Sequence, residues 1–221
     1  MADPRAETNR LQRVSDGVIL ANLIDDCRDY PVTDSTRKKQ LVCYNLVLLE
    51  VLLWETFVED IVEEGQEFLL NHVTDPTVLG YDVLLPVSED LVGRRDRRVI
   101  WSLAGDGWRN ALRQRRRRLI EGFHTPRPGN VDALILATLG ITRMSQHWHW
   151  QNTTVTQARQ RLDALVTMRG AIAHDLLTIP AVNFQNFITR VFRTRRACAI
   201  TANRARTHIH GLTGQYPWDQ V

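Results

Sequence analysis

The sequence predicts an all-α protein, and three observations support this fold class. Apolar residues recur at helical spacing in several separate segments, as at Leu162, Leu165 and Ile172. The most apolar run, residues 41–54, includes Glu50 and is shorter than the roughly 20 residues that a transmembrane helix needs, so it predicts a buried helix. No segment alternates apolar and polar residues over several strands. We therefore expect a helical bundle.

The chain of 221 residues is long enough for one domain, and we expect a single domain over 1–221. Its predicted core covers about 37–203, preceded by an N-terminal helix within 1–30 and followed by a tail at 205–221. The 43% apolar and 24% charged residues are typical of a globular protein rather than a disordered one.

The first residues are charged and lack an apolar stretch, so the sequence predicts neither a secretory signal peptide nor membrane attachment. Cys27, Cys43 and Cys198 are odd in number and widely spaced. This pattern fits neither a disulfide framework nor a metal site, and it indicates a reducing, cytoplasmic location.

Two helices are predicted in the first third of the chain. Residues 7–28 form an amphipathic pattern that Tyr30-Pro31 terminates, because a residue before proline disfavours the α conformation. Asp34 or Ser35 can then cap a long helix that runs to about Asn71. This second helix is apolar on most sides, which is typical of a helix inside a bundle.

The middle of the chain mixes breakers and helices. Residues 72–100 contain Asp75-Pro76 and Leu85-Pro86, and we expect a loop-rich insertion there, in which the run VLLPV could be extended. Helical character returns over residues 107–120. A short helix is predicted over residues 131–139, with Asn130 as its N-cap and Gly140 as a left-handed C-cap.

Two further helices are predicted near the C-terminus. The first begins at Thr154 or Thr156, and Ile179-Pro180 ends or restarts the chain after it. The second covers residues 182–201. The tail after Arg206 is expected to be rich in turns.

Charge is distributed unevenly along the sequence. Residues 1–90 hold 7 Lys+Arg against 18 Asp+Glu, a balance of −11, whereas residues 91–221 hold 21 Arg against 7 Asp+Glu, a balance of +14. A basic half favours a polyanionic partner such as RNA. The alternative is that the acidic and basic halves of the chain pack on each other. The candidate RNA-binding residues form a run on one predicted helix: Arg113, Arg115, Arg116, Arg117 and Arg118.

Arg169 and His174 form the most informative short motif in the chain. Arginine can grip a phosphate through two parallel hydrogen bonds, and histidine can exchange a proton near neutral pH, so the pair suits phosphodiester cleavage without a metal. On a helix the two residues lie about 140° apart around the axis. Two copies related by a two-fold axis could bring both pairs into one cleft. The alternative is a surface arginine and a histidine that interacts favourably with a helix C-terminus.

The sequence around this motif resembles the HEPN superfamily of endoribonucleases, whose signature is Arg-x4-6-His. The runs LLEVLLWETFVEDIVEE, FHTPRPGNVDALILATLGI and LVTMRGAIAHD are similar in order and spacing to one branch, sometimes labelled RiboL-PSP-HEPN or MAE-type. The resemblance covers roughly residues 40–200. Members of that branch are associated with prokaryotic toxin and phage-defence loci.

The resemblance implies a helical bundle that dimerises with the Arg169 and His174 sites of both subunits at the interface. It implies cleavage of RNA by the ribose 2′-OH, with no metal or other cofactor. Arg169 would stabilise the phosphate in the transition state, and His174 would act as general base or general acid. Many members carry a polar residue directly after the arginine, whereas this chain has Gly170.

Carboxylates on the long predicted helix are further candidates. Glu55 and Glu59 are four residues apart and share a helix face with each other. In the family a carboxylate of this helix often lies near the cleft, where Glu55 could orient His174. The alternative is a solvated helix edge. Glu50 lies in apolar sequence, and if buried it needs a partner such as an arginine.

Two His-x-His pairs, at residues 147–149 and 208–210, could supply four nitrogen ligands to a metal. No cysteine or carboxylate lies at supporting spacing, so we predict no metal site. The neighbouring Trp148 and Trp150 could stack on RNA bases, but core or dimer contacts are the simpler interpretation.

These observations predict a cytoplasmic, metal-independent endoribonuclease that acts as a toxin or effector of a prokaryotic toxin–antitoxin or anti-phage system. Its expected partners are RNA, a second copy of the chain and an antitoxin or sensor protein. One alternative is a catalytically weak or inactive HEPN module that binds RNA or a protein. Another is a nucleic-acid-binding regulator built on the arginine-rich half.

Overall fold

A computed structural model describes residues 35–93, 96–174 and 184–220. The helix expected at 7–28, the cap at Asp34 and the break at Ile179-Pro180 lie outside these residues. Within them the all-α prediction is confirmed, since the only β-type pairing they contain is an isolated bridge between Trp150 and Thr153.

Six α-helices and three short 3₁₀ helices make up the described parts of the chain. In chain order the α-helices are α1 (Ser35–His72), α2 (Tyr81–Val92), α3 (Gly107–Glu121), α4 (Pro128–Leu139), α5 (Val155–His174) and α6 (Phe184–Thr213). The 3₁₀ helices are Pro76–Leu79, Arg97–Leu103 and Met144–His147.

Helix α1 is the centre of the bundle, as the apolar residues on most of its sides predict. Helices α3, α4, α5 and α6 all pack against it. A larger core surrounds Trp54 and includes Ile135 of α4 and Ile209 of α6. A smaller core joins the first half of α1 to α5, where Val51 packs among Leu165 and its neighbours. Burial of α1 on several sides is what stabilises a helix of this length.

The prediction of a loop-rich region over 72–100 is wrong for most of that segment. Residues 81–92 form helix α2, with Pro86 inside it, and 3₁₀ helices flank it on both sides. Proline lacks an N–H, so α2 loses one internal hydrogen bond. Burial of Val83 and Leu91 compensates for this loss. Tertiary packing therefore overrides the local effect of proline.

Helix starts were predicted with mixed success. Thr154 caps α5 as expected: its Oγ1 accepts from the Gln157 N–H at 3.3 Å, and the Gln157 Oε1 accepts from the Thr154 N–H at 3.1 Å. The N-cap at Asn130 is wrong. Helix α4 begins at Pro128, whose fixed φ suits the first helical position, and the Asn130 side chain donates to the Thr125 carbonyl at 2.7 Å.

Helix ends also differ between prediction and structure. Gly140 closes α4 in the left-handed conformation, with φ 74°, as predicted. The last helix, in contrast, does not end at residue 201 but continues to Thr213, through part of the expected tail. Ala205 and Ile209 are fully buried in this extension. Because this segment has few apolar residues, its buried face was not predicted from the sequence.

A buried carboxylate lies where α1 meets α6. Glu50 is 6% exposed, and burial raises its pKa to about 7, while a hydrogen bond from Thr194 and the charge of Arg195 act in the opposite direction. Glu50 is therefore buried with an arginine nearby, as expected, and a hydroxyl group is a second partner.

No helix in the described ranges is both long enough and apolar enough to cross a membrane.

Replacing Trp148 should destabilise the protein strongly. The indole is fully buried, donates to Thr201 Oγ1 at 2.9 Å and contacts the Trp54 ring edge to face at 5.6 Å. We expect Trp148→Ala to lower the free energy of unfolding by about 3–5 kcal/mol, measured by urea denaturation. Trp101→Ala, at a position 77% exposed, is the matched control and should change it by less than about 0.5 kcal/mol.

Glu50 should make the protein less stable as pH rises. Folding raises its pKa from 4.5 to about 7, so the folded state binds more protons than the unfolded state between these values. Stability should fall across that window, by roughly 3 kcal/mol in total. Glu50→Gln should abolish this pH dependence and stabilise the protein above pH 7. Denaturation curves between pH 4 and 8 measure the free energy of unfolding of wild type and variant. Parallel dependence of this free energy on pH in the two proteins would contradict the prediction. Glu63→Gln, at an exposed position, is the control.

Candidate functional site

Arg169 and His174 lie in the last two turns of α5 that the structure describes. His174 is exposed, and the Arg169 side chain is 37% exposed. Among the described residues, no hydrogen bond joins the two side chains. One copy of the chain therefore presents them as separate groups on the same helix, as their helical spacing predicts.

The Arg169 guanidinium contacts two other elements instead. Its Nη2 lies 3.8 Å from Glu55 Oε2 on α1, and its Nη1 donates to the His124 carbonyl oxygen at 3.4 Å. Both distances are longer than those of a tight ion pair or charge-assisted hydrogen bond. Arg169 thus keeps donors available while it bridges α1 and the loop before α4.

Glu55 is nearly buried, at 13% exposure of its side chain, and its Oε2 accepts no hydrogen bond. A buried carboxylate oxygen without a donor is costly, so the nearby guanidinium charge is its main compensation. The structure brings Glu55 to Arg169, whereas the sequence had suggested a role beside His174.

Glu59 lies one helical turn beyond Glu55. Burial and the neighbouring charges of Glu55 and Glu63 raise the pKa of Glu59, and the positive charge of His124 lowers it. His124 is therefore within electrostatic reach of this carboxylate. Together Glu55, Glu59, His124 and Arg169 form a cluster of two acids, one base and one permanent cation, which we call the acid–arginine cleft.

The loop that carries His124 is held firmly at several points. Phe123 is buried, and the Trp54 indole N–H donates to the Pro126 carbonyl at 3.0 Å. Arg127 forms an ion pair with Asp163 of α5 at 2.6 Å and donates to Thr167 at 3.1 Å. The loop is thus fastened to α1 on one side and to α5 on the other, and the His124 carbonyl is placed against Arg169.

The arginine run of α3 is used partly inside the molecule. Arg113 binds Glu67 of α1 through both Nε and Nη2, the latter at 2.7 Å, and Arg116 is only 5% exposed and reaches Glu67 at 3.2 Å. These pairs lower the pKa of Glu67, chiefly through the Arg113 hydrogen bond. Arg113 and Arg116 therefore fit the alternative interpretation of the basic half, in which it packs on the acidic half of the chain.

The other three arginines of the run differ in exposure. Arg117 is exposed, and Arg118 is exposed and lies 3.9 Å from Asp90, a weak surface pair. Arg115 is half-buried, and burial lowers its pKa. The run therefore does not form one open basic surface.

The two His-x-His pairs do not converge on a metal site. His208 Nε2 lies 2.9 Å from the Leu139 carbonyl, and the His210 ring stacks on Tyr216. Throughout the part of the chain that the structure describes, no three His, Cys, Asp or Glu side chains are grouped to hold a metal ion. Trp148 is a core residue, one of the two simpler interpretations of its role that the sequence offered.

Sequence reasoning missed His124. It lies 45 residues before Arg169, so no spacing rule connects the two. The only clue was its position in FHTPRPGN, where two prolines restrict the backbone. Such a restriction does not indicate which helix the loop will contact.

Comparisons with protein-family models, with curated proteins and with solved structures found no match to this chain.

Proposed function

We propose that the protein is a metal-independent endoribonuclease of the HEPN type, which cleaves RNA through attack of the ribose 2′-OH on the adjacent phosphate. The proposal rests on the sequence resemblance and on one structural observation. Arg169, at the arginine position of the motif, is a half-exposed cation held loosely by Glu55 and His124. Such a group can bind a phosphate without first breaking a tight internal pair.

Arg169 suits the phosphate of the transition state. Guanidinium carries five donors in a planar fork, and the two long contacts leave most of them free. Glu55 limits the rotation of the side chain through its charge. A cation oriented in advance stabilises developing negative charge more effectively than one that must reorganise.

His174 would move a proton at the reacting ribose or at the leaving oxygen. Because it lies across the helix from Arg169, we propose that two copies of the chain combine their pairs in one cleft. RNA is then bound along the dimer. In the proposed setting, a toxin or defence system, an antitoxin or sensor protein restrains the enzyme.

An exposed apolar stripe on α1 supports dimerisation beside the cleft. Leu52 is 56% exposed and Leu49 is 37% exposed. At about 100° per residue, Leu52 lies on the same side of the helix as Glu55 and Glu59. A second copy that covered this stripe would approach the acid–arginine cleft directly.

A non-cleaving module is the second candidate, and Gly170 favours it. A Cβ at this position would meet no other atom within 4 Å, so the open space beside Arg169 lacks the polar group that many members have there. Such a module would bind RNA or a protein through the same cleft without cutting.

The ribonuclease proposal predicts cleavage that needs no metal. Purified protein should cut total or transfer RNA in the presence of EDTA. We expect Arg169→Ala to reduce the rate about 10²–10³-fold, from lost charge stabilisation, and His174→Ala about 10²–10⁴-fold, from lost proton transfer. Gel analysis of end-labelled RNA measures both. Equal cleavage by wild type and variants would refute the assignment, and RNA binding without cleavage by wild type would favour the module.

The dimer proposal predicts that a charge at Leu52 separates the subunits. Leu52→Asp should shift the molecular mass from dimer to monomer in size-exclusion chromatography with light scattering, and cleavage should fall with it. Val78→Asp is the matched control, since Val78 is an exposed apolar residue (44%) on the 3₁₀ helix before α2. A monomeric wild type that cleaves RNA would overturn the shared cleft.

A further inference from the structure

We propose that His124 is a second proton-transfer residue of the acid–arginine cleft, on a loop whose backbone Arg169 contacts. This inference rests on the proposed ribonuclease function and adds a residue from outside the Arg169–His174 motif. It adds a second histidine to the proposed reaction at the phosphate.

Position is the first argument. The His124 carbonyl accepts a hydrogen bond from Arg169 at 3.4 Å, so the residue adjoins the group proposed to bind phosphate. The residue is exposed, and therefore substrate can reach its imidazole. His174 has no such link to Arg169 within one chain, among the contacts that the structure describes.

Rigidity is the second argument. The anchors at Phe123, Pro126 and Arg127 flank His124 on both sides and tie its loop to α1 and α5. A surface histidine on a loose loop would have no defined position relative to Arg169. Here the backbone on which the imidazole stands is fixed, which general acid–base catalysis needs.

Charge is the third argument. Glu59 of α1 interacts electrostatically with His124, and Arg169 of α5, which also lies near Glu55, contacts its carbonyl oxygen. The pKa of Glu59 is raised by burial and by the charge of Glu55, and the attraction of His124 partly offsets this rise. A carboxylate beside an imidazole can hold the ring and stabilise it when it carries a proton.

The reaction needs two proton transfers, and one imidazole serves each. One neutral imidazole takes the proton of the 2′-OH as its oxygen forms a bond to phosphorus. The other, protonated, gives its proton to the 5′-oxygen as the bond from that oxygen to phosphorus breaks. The products are a 2′,3′-cyclic phosphate and a 5′-hydroxyl, and water then restores the two protonation states.

The test is the pH–rate profile of RNA cleavage in EDTA by wild type, His124→Gly and His174→Ala, with and without added imidazole. We expect His124→Gly to slow cleavage about 10²–10⁴-fold, to lose one limb of the profile and to regain activity with imidazole. His72→Gly is the matched control, because His72 is exposed and lies about 20 Å along α1 from Glu59. The His72→Gly variant should keep the wild-type cleavage rate and the wild-type pH–rate profile.

Different results would contradict different claims. An active wild type with an unchanged His124→Gly variant would overturn the role of His124 alone. So would a slow variant that keeps both limbs and does not respond to imidazole, since that pattern indicates a structural effect. Wild type that fails to cleave RNA would overturn the ribonuclease function itself, and the role of His124 with it. Thermal unfolding of each variant verifies that it is folded.

Discussion

The buried indole of Trp54 fixes the geometry on which the rest of the candidate site depends. Its N–H donates to the Pro126 carbonyl, and its ring contacts Trp148 of the main core. The next residue is Glu55, and two residues before Pro126 is His124. This hydrogen bond, together with the burial of Phe123 and the Arg127–Asp163 pair, holds the loop that contacts Arg169 against the acids of α1.

Some charged residues of the molecule stabilise its packing and others are available to a ligand. The number of charges along the sequence does not distinguish the two groups. Arg113, Arg116 and Glu67 join α3 to α1 and are part of the fold. Arg169 and Glu55 interact at longer range. The Arg169 guanidinium keeps free donors, and the Glu55 Oε2 accepts no hydrogen bond. Tight pairs stabilise packing, whereas loosely held charges near a surface can exchange an internal partner for a ligand.

The prediction of the fold succeeded where local chemistry and packing agree. Local sequence patterns predicted the long helix α1, the Thr154 cap of α5 and the left-handed conformation of Gly140. Prediction failed at Pro86 and beyond residue 201, because buried contacts with distant helices decide there whether a helix forms or continues. Such contacts leave little trace in local periodicity.

The sequence by itself determined the helical class and the placement of Arg169 and His174 on one helix, since both follow from spacing within a short segment. Only the tertiary structure decided which groups surround Arg169. Glu55 and His124 approach it from 114 and 45 residues away because the core around Trp54 joins their elements. Long-range packing is a property of the whole chain, and no motif encodes it.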